Sequence, residues 1–356
     1  MKKRILGSIA VLMAAMMFTA CGTTQAKPEA ETQKPEGNKV ETEQKADAQE
    51  VKTGLGVITS LERSKDATAD ADGQAQVSSM VAAVLVAEDG KILKVAIDGI
   101  QTKIDFGADG KIKTDLAQVF ESKVTLGDSY GMKKNSGIGK EWYEQMAAFE
   151  AYAQGKTIEE LKGISVTEEG RPAGDDLKTS VTVHVNEVIE VIELAVNNAK
   201  NIGATSTDNL GLAMDTKIDR SKDAGAEDGV AQAYTNYVVA SVSPEGKVTS
   251  AIVDASQSQV TFDATGKITS DLKARPQTKV ELGDSYGMKK NSGIAKEWYE
   301  QVQAFAEHVK GKTMDEIKAI ELDGEGKPTG ADLNTSVTIH VNDPMRLLEK
   351  AVMAAK

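Results

Sequence analysis

The chain has 356 residues, 40% of them apolar, with three histidines, one cysteine and a net charge of −12. That length gives room for two ordinary domains. The acidic balance excludes nucleic acid as a partner, which needs a basic footprint, and a lone cysteine excludes an internal disulfide framework.

In chain order, Lys2, Lys3 and Arg4 precede an apolar run over residues 5–20, followed by Cys21. A positive start and a short apolar stretch predict a signal peptide over 1–20, too short for a stable membrane span. The junction Phe18-Thr19-Ala20-Cys21-Gly22 resembles the lipidation site of bacterial lipoproteins, with Phe18 where Leu is usual. The resemblance implies a lipid on Cys21, which also accounts for an unpaired cysteine in an exported chain. Membrane lipid is then a partner, and the location is the outer face of the cytoplasmic membrane. Removing the three basic residues leaves 39 Lys and Arg against 54 acids, a charge of −15. Residues 21–52 hold no aromatic side chain and little to bury, which predicts a disordered tether.

Beyond the tether the chain repeats itself. Residues 126–145 read LGDSYGMKKNSGIGKEWYEQ, and residues 282–301 differ from them only in Ala295 for Gly139. The offset of 156 holds without a gap from about Gly73/Gly229 to Thr182/Thr338. A period this long means two copies of one domain rather than a solenoid. The first copy is placed at 53–200, a polar linker at 201–208 and the second copy at 209–356.

Within a copy, residues 81–86 and 91–97 flank an Asp-Gly turn at Asp89-Gly90 and read as a hairpin. A second hairpin is expected around Asp109-Gly110. A helix follows, with Ile138, Trp142, Met146, Phe149 and Ala153 at helical spacing, Ser136 as its N-cap and Gly155 as its stop. Thr157 and Glu160, like Thr313 and Glu316, form capping boxes for a short second helix. A strand over 181–185 and a terminal amphipathic helix over 188–199 complete the unit. The fold class is α+β: two tandem copies of one domain, each an antiparallel sheet with helices packed on one face.

Familiar catalytic sets are absent. His184 and His340 are equivalent and sit between valines in the expected strand, on its solvated face; no metal site is expected from them. Residues 68–73 lack the first and twelfth ligands of a calcium loop. The segment 133–140, a polar glycine-bearing loop entering a helix, suits an anion or phosphate around Ser136 and Gly137, or Ser292 and Gly293, although capping alone accounts for the serine. Ala295 indicates that the last glycine is replaceable. Trp142 and Trp298 belong to the core stripe.

Near the end of each copy stands Asp176-Leu-Lys-Thr179-Ser180-Val181-Thr182, matched by Asp332-Leu-Asn-Thr335-Ser336-Val337-Thr338. By itself this describes a polar loop entering a β-branched strand. It also resembles the attachment motif of covalently flavinylated FMN-binding domains, with Val181 and Val337 where that family usually has Ala. The chain as a whole resembles the two-domain, lipid-anchored flavoproteins that carry electrons outside Gram-positive cells. The resemblance implies FMN as cofactor, held by a phosphoester on Thr182 and Thr338, two per chain if both are used. It implies Asp176, Thr179, Ser180, Asp332, Thr335 and Ser336 as the recognition residues. It further implies a flavin transferase for maturation, a membrane electron donor and an extracellular acceptor, and points to an electron carrier rather than a catalyst with its own turnover. The alternative is a non-redox surface lipoprotein whose repeats bind a cell-wall component, a peptide or a protein.

Overall fold

The structure, a computed structural model, describes residues 48–356. The signal peptide, Cys21 and the tether up to residue 47 lie outside the described residues. Among the described residues no helix is long and apolar enough to cross a membrane.

Each repeat opens with three antiparallel strands. In the first these are β1 (Lys52–Ser60), β2 (Gly73–Val86) and β3 (Ile92–Phe106). A short strand β4 (Val119–Glu121) follows, then helices α1 (Lys123–Leu126), α2 (Trp142–Ala153), α3 (Ile158–Lys162) and α4 (Asn186–Asn198). The second repeat runs β5 (Asn209–Lys217), β6 (Gly229–Val242), β7 (Val248–Phe262), α5 (Lys279–Leu282), α6 (Trp298–Val309), α7 (Met314–Lys318) and α8 (Asn342–Ala354). The first strands are 157 positions apart, the later elements 156, so the loop after β5 is one residue shorter than the loop after β1.

The α+β architecture holds, with helices on one face of each sheet. The central strand β2 explains what covers the other face. Ala82, Val84 and Val86 pack with Trp142, Phe149 and the α4 residues Val188 and Ile192. The alternate residues Val81, Ala83 and Leu85 pack instead with Leu210, Met214, Tyr237 and Val239 of the second repeat. A strand buried on both faces reads as a continuous apolar run, which is how residues 81–86 are written. The two sheets therefore share a core, closed where Phe106 and its counterpart Phe262 stack with ring centroids 4.1 Å apart. The buried Tyr237 hydroxyl lies 3.1 Å from Ser79 Oγ and 3.0 Å from Ser256 Oγ, so even the polar group within this interface is satisfied.

The repeats also exchange backbone. β4 of the first repeat pairs antiparallel with β5 of the second, with Phe120 opposite Thr216. In the second repeat the position of Phe120 is taken by Pro276, which has no N–H to give to a ladder. There the side chain of Arg275 reaches the edge of β1 instead, donating to Val57 O at 2.8 Å.

Four expectations need correction. Residues 49–52, assigned to the tether, belong to the folded unit: Val51 is buried, and its N–H donates to Ala204 O at 3.1 Å. That bond also fastens the linker 201–208 to the start of β1. The strand over 181–185 is not formed, because turns over 175–180 carry the chain into α4 without a ladder partner. His184 is nonetheless exposed between Val183 and buried Val185, as the alternation requires. The cap of α2 is Glu141, not Ser136, and Ile138 lies in the loop before it. Finally, Ala295 occupies φ +51°, so the position still demands the left-handed region that Gly139 enters freely.

The capping boxes form as read. Thr157 N–H donates to Glu160 Oε2 at 2.8 Å, and Thr313 N–H to Glu316 Oε2 at the same distance.

Candidate functional site

The duplicated block and the threonine motif meet in space. Residues 127–135 form two 3-10 turns ending at Asn135. Glu141, buried at the start of α2, pins them from behind: its carboxylate accepts from Met132 N–H at 2.8 Å and Lys133 N–H at 2.9 Å. This anchoring leaves Ser136 facing the helix. Its Oγ accepts from the backbone of Ile138 and Lys140 at 3.4 Å each, and from Gln145 Nε2 at 3.2 Å.

Gln145 is the joint. Its Oε1 accepts both from Thr182 N–H at 2.8 Å and from Thr182 Oγ1 at 3.2 Å. The second repeat reproduces the bridge: Gln301 Nε2 donates to Ser292 Oγ at 3.2 Å, and Gln301 Oε1 accepts from Thr338 N–H at 2.8 Å and Oγ1 at 3.2 Å. Both glutamines are fully buried, so removing one leaves polar groups unpaired on either side. Both threonines are half-buried, with Oγ1 oriented by the glutamine.

The motif leading to each threonine is held from its apolar positions. Leu177 and Val181 are buried, as are Leu333 and Val337. Val181 and Val337 therefore fill the core. Thr179 and Thr335 are exposed, Ser180 and Ser336 half-buried, and Asp176 and Asp332 exposed. Asp176 raises the pKa of the Tyr152 hydroxyl, after the larger effect of burial. In the second repeat His308 replaces Tyr152, with Nδ1 3.7 Å from Asp332 Oδ2. Gly137 and Gly293 are exposed in the loop beside the serines.

Gln145 was not singled out by sequence, but a signal existed. Positions 142, 145, 146 and 149 share one helix face, and three of them carry Trp, Met and Phe. A glutamine on that apolar face, identical in both copies, marks a buried polar joint.

A second missed feature lies beside the loop. Lys123 Nζ sits 5.1 Å from the Tyr130 ring and 4.9 Å from the Trp142 ring. Lys279 Nζ is held among Tyr234, Tyr286 and Trp298, at 4.5, 4.8 and 4.8 Å. Burial pushes Lys123 down to about 8 and Lys279 to about 7, while the ring faces favour the charged form. Two acids brace the same corner. Asp98 Oδ1 accepts from Gly99 and Val124 N–H, and Asp254 Oδ1 from Ala255 and Val280 N–H. Burial raises Asp98 to about 6 and Asp254 to about 7, against hydrogen bonds from Ser122 and Thr278 that lower them.

This corner makes a pH prediction. An acid whose folded pKa lies above its unfolded 3.8 favours the fold most below pH 4 and loses that contribution as pH rises to about 7. Asp254→Asn keeps an oxygen for both N–H groups and removes the titration. Its stability relative to wild type should therefore rise by on the order of 3 kcal/mol between pH 4 and 7.5. Thermal melts across that range read the difference, and parallel curves for the two proteins would sink it.

A cavity of about 500 Å³ lies between the repeats, near Thr53, Ser250 and Val302, and one of about 470 Å³ lies in the first repeat. Neither is lined by Thr182 or Thr338.

No protein-family profile matches the chain, and no solved structure does. Over 127 residues the chain is 32% identical to a protein of Desulfitobacterium hafniense named chlorophenol reductase. The match takes in 32% of this chain and 38% of that relative.

Proposed function

We propose that each repeat carries FMN covalently, on Thr182 in the first and Thr338 in the second, and that the protein moves electrons outside the cytoplasmic membrane to which Cys21 anchors it. The observation that carries this reading is the glutamine bridge. It brings the motif threonine and the serine of the glycine-bearing loop to one side chain, with the same geometry in both repeats. The residues fit a phosphoester. A half-buried hydroxyl is held in one orientation, and Ser136, Gly137, Ser292 and Gly293 stand on the loop joined to it.

When bound, the flavin ring supplies the electron chemistry. The protein supplies position and attachment. A covalent link keeps the cofactor where dilution would otherwise remove it. Two sites on one folded unit see each other at high effective concentration. The donor would be a membrane electron carrier, the acceptor extracellular, and a flavin transferase would make the bond. A stretch similar to a protein named a reductase is in keeping with a redox role. The alternative, a surface lipoprotein that binds a wall component, peptide or protein, draws on the identical loops, whose Lys133, Lys134 and Asn135 are exposed.

Co-expression with a bacterial FMN transferase, followed by a denaturing gel read for flavin fluorescence and by peptide masses, tests the proposal. Two FMN per chain are expected, Thr182→Ala and Thr338→Ala each removing one. Gln145→Ala with Gln301→Ala should lower incorporation severalfold while the chain still folds, because the hydroxyls lose their fixed acceptor. Peptides containing Thr182 and Thr338 without added FMN would remove this reading and favour the alternative.

A further inference from the structure

The two repeats differ sharply around one lysine. In the second repeat the Tyr234 ring projects from β6 beneath Lys279, and its hydroxyl accepts from Lys279 Nζ at 2.8 Å. Charged pairs fill the space beside it: Arg346 Nη2 lies 2.5 Å from Asp215 Oδ2, and Lys217 Nζ 2.6 Å from Asp343 Oδ2. In the first repeat the lysine, its two flanking rings and the nearby arginine are kept, as Lys123, Tyr130, Trp142 and Arg63. What filled the space is gone. Ser78 stands for Tyr234, Ile58 for Asp215, Ser60 for Lys217 and Glu190 for Arg346.

The consequence is a cavity of about 470 Å³, lined by Ser78, Lys123, Tyr130, Gln101, Arg63 and Glu190 among others. That volume falls within the range of small-molecule sites. Tyr130 is held at its wall by a bond of 3.3 Å from its hydroxyl to Gln101 Oε1, the counterpart of Tyr286 with Gln257. Lys123 Nζ has lost the acceptor that Lys279 finds in Tyr234. With its pKa near 8 the amine remains largely a charged donor at neutral pH.

We propose that the first repeat binds a small neutral monocyclic phenol, such as phenol or hydroquinone, in this cavity. Its ring takes the place that the Tyr234 ring occupies in the second repeat, and its hydroxyl accepts from Lys123 Nζ. The second repeat is in effect the occupied form, with the phenol supplied by its own chain. An aromatic ring is favoured over an aliphatic one because the ammonium gains from its face. An anionic ring is disfavoured, because Glu62, Glu187 and Glu190 all line the cavity. The same carboxylates offer acceptors to a second hydroxyl, so hydroquinone should bind more tightly than phenol. The site does not include Thr182 and stands independently of the flavin reading.

The test uses the full chain produced without a flavin transferase, so that a failure here says nothing of FMN. Phenol, hydroquinone, cyclohexanol and benzoate are titrated by calorimetry and by quenching of tryptophan fluorescence. Phenol and hydroquinone should bind at one site per chain with a Kd of roughly 0.1–1 mM, the range open to a ligand of so few atoms. Cyclohexanol and benzoate should be at least about tenfold weaker. Ser78→Ala should leave binding within about threefold, and Ser78→Tyr, which restores the missing ring, should abolish it without lowering the melting temperature. If Ser78→Tyr does not fold, Ser78→Leu is read in the same way, since it blocks the ring's place with less volume. Equal binding of cyclohexanol, or phenol binding that survives the blocking variant, overturns the proposal.

Discussion

Gly211→Ala is expected to destabilise the protein by roughly 3 kcal/mol or more, and Gly54→Ala by a similar amount. Both glycines lie where the terminal helix of a repeat crosses its first strand. A Cβ on Gly211 would stand 1.8 Å from Ala351 O of α8, and one on Gly54 would stand 2.0 Å from Ala195 O of α4. These are backbone atoms in the last turn of each helix, so no side chain can swing away. The helix would have to lift from the strand, opening the core that Leu347, Leu348 and Ala351 close in the second repeat. Gly246 is the control. Unlike the other two it carries a positive φ, +80°, and a Cβ there meets nothing within 4 Å. Gly246→Ala should cost only the left-handed strain, ~1–2 kcal/mol. Chemical denaturation of the three variants reads the order directly. A Gly211→Ala protein no less stable than Gly246→Ala would show that the helix does not rest on the strand as described.

The second large effect is expected at Arg346. Asp215 is wholly buried, with Oδ2 2.5 Å from Arg346 Nη2 and Oδ1 without a hydrogen-bond partner. Arg346 itself is 40% exposed. Cutting back the arginine strands a buried carboxylate, which in comparable cases costs ~3–5 kcal/mol. The first repeat indicates the remedy, since Ile58 stands where the second has Asp215. Arg346→Ala combined with Asp215→Ile should therefore recover at least half of the loss. Urea unfolding of the single and double variants decides it. A single variant within about 1 kcal/mol of wild type would mean that the pair is not carrying the charge, and a double variant no better than the single would mean that the isoleucine does not fit.

What could be read from the sequence was local. The Asp-Gly turn at Gly90, the capping boxes at Thr157 and Thr313, and the stripe through Trp142, Met146 and Phe149 each depend on neighbours within a few residues. All of them form. The strand expected over 181–185 failed for a related reason. Its valines alternate because Val181 and Val185 plug the core from a loop, and burial alternation alone does not distinguish such a segment from a strand. Ser136 looked like a cap because serine before an apolar stripe usually is one. Glu141 took that role, and its carboxylate also holds the backbone of Met132 and Lys133, which freed Ser136 for Gln145.

The candidate site divides in the same way. Thr182, Thr338 and the loop serines were legible as separate motifs. Their meeting through Gln145 and Gln301, 37 residues before each threonine, was not. Nor was the lysine in its ring cage. Lys123 precedes the identical block by three positions, and its ring partners Tyr130 and Trp142 arrive from a turn and a helix, joined in the second repeat by Tyr234 from a strand.

The sequence alone determined that there are two copies of one α+β domain and what most of each copy's local elements are. Turn chemistry, capping and side-chain periodicity act over short stretches of chain, and both copies carry the same instructions. Tertiary structure decided what the copies do with each other. It placed the two sheets face to face, lent β4 of one repeat to the sheet of the other, and let Tyr234 fill in the second repeat a space that Ser78 leaves open in the first. Those outcomes depend on which faces meet and on the volume left between them, and a repeat of 156 residues carries no local signal of either.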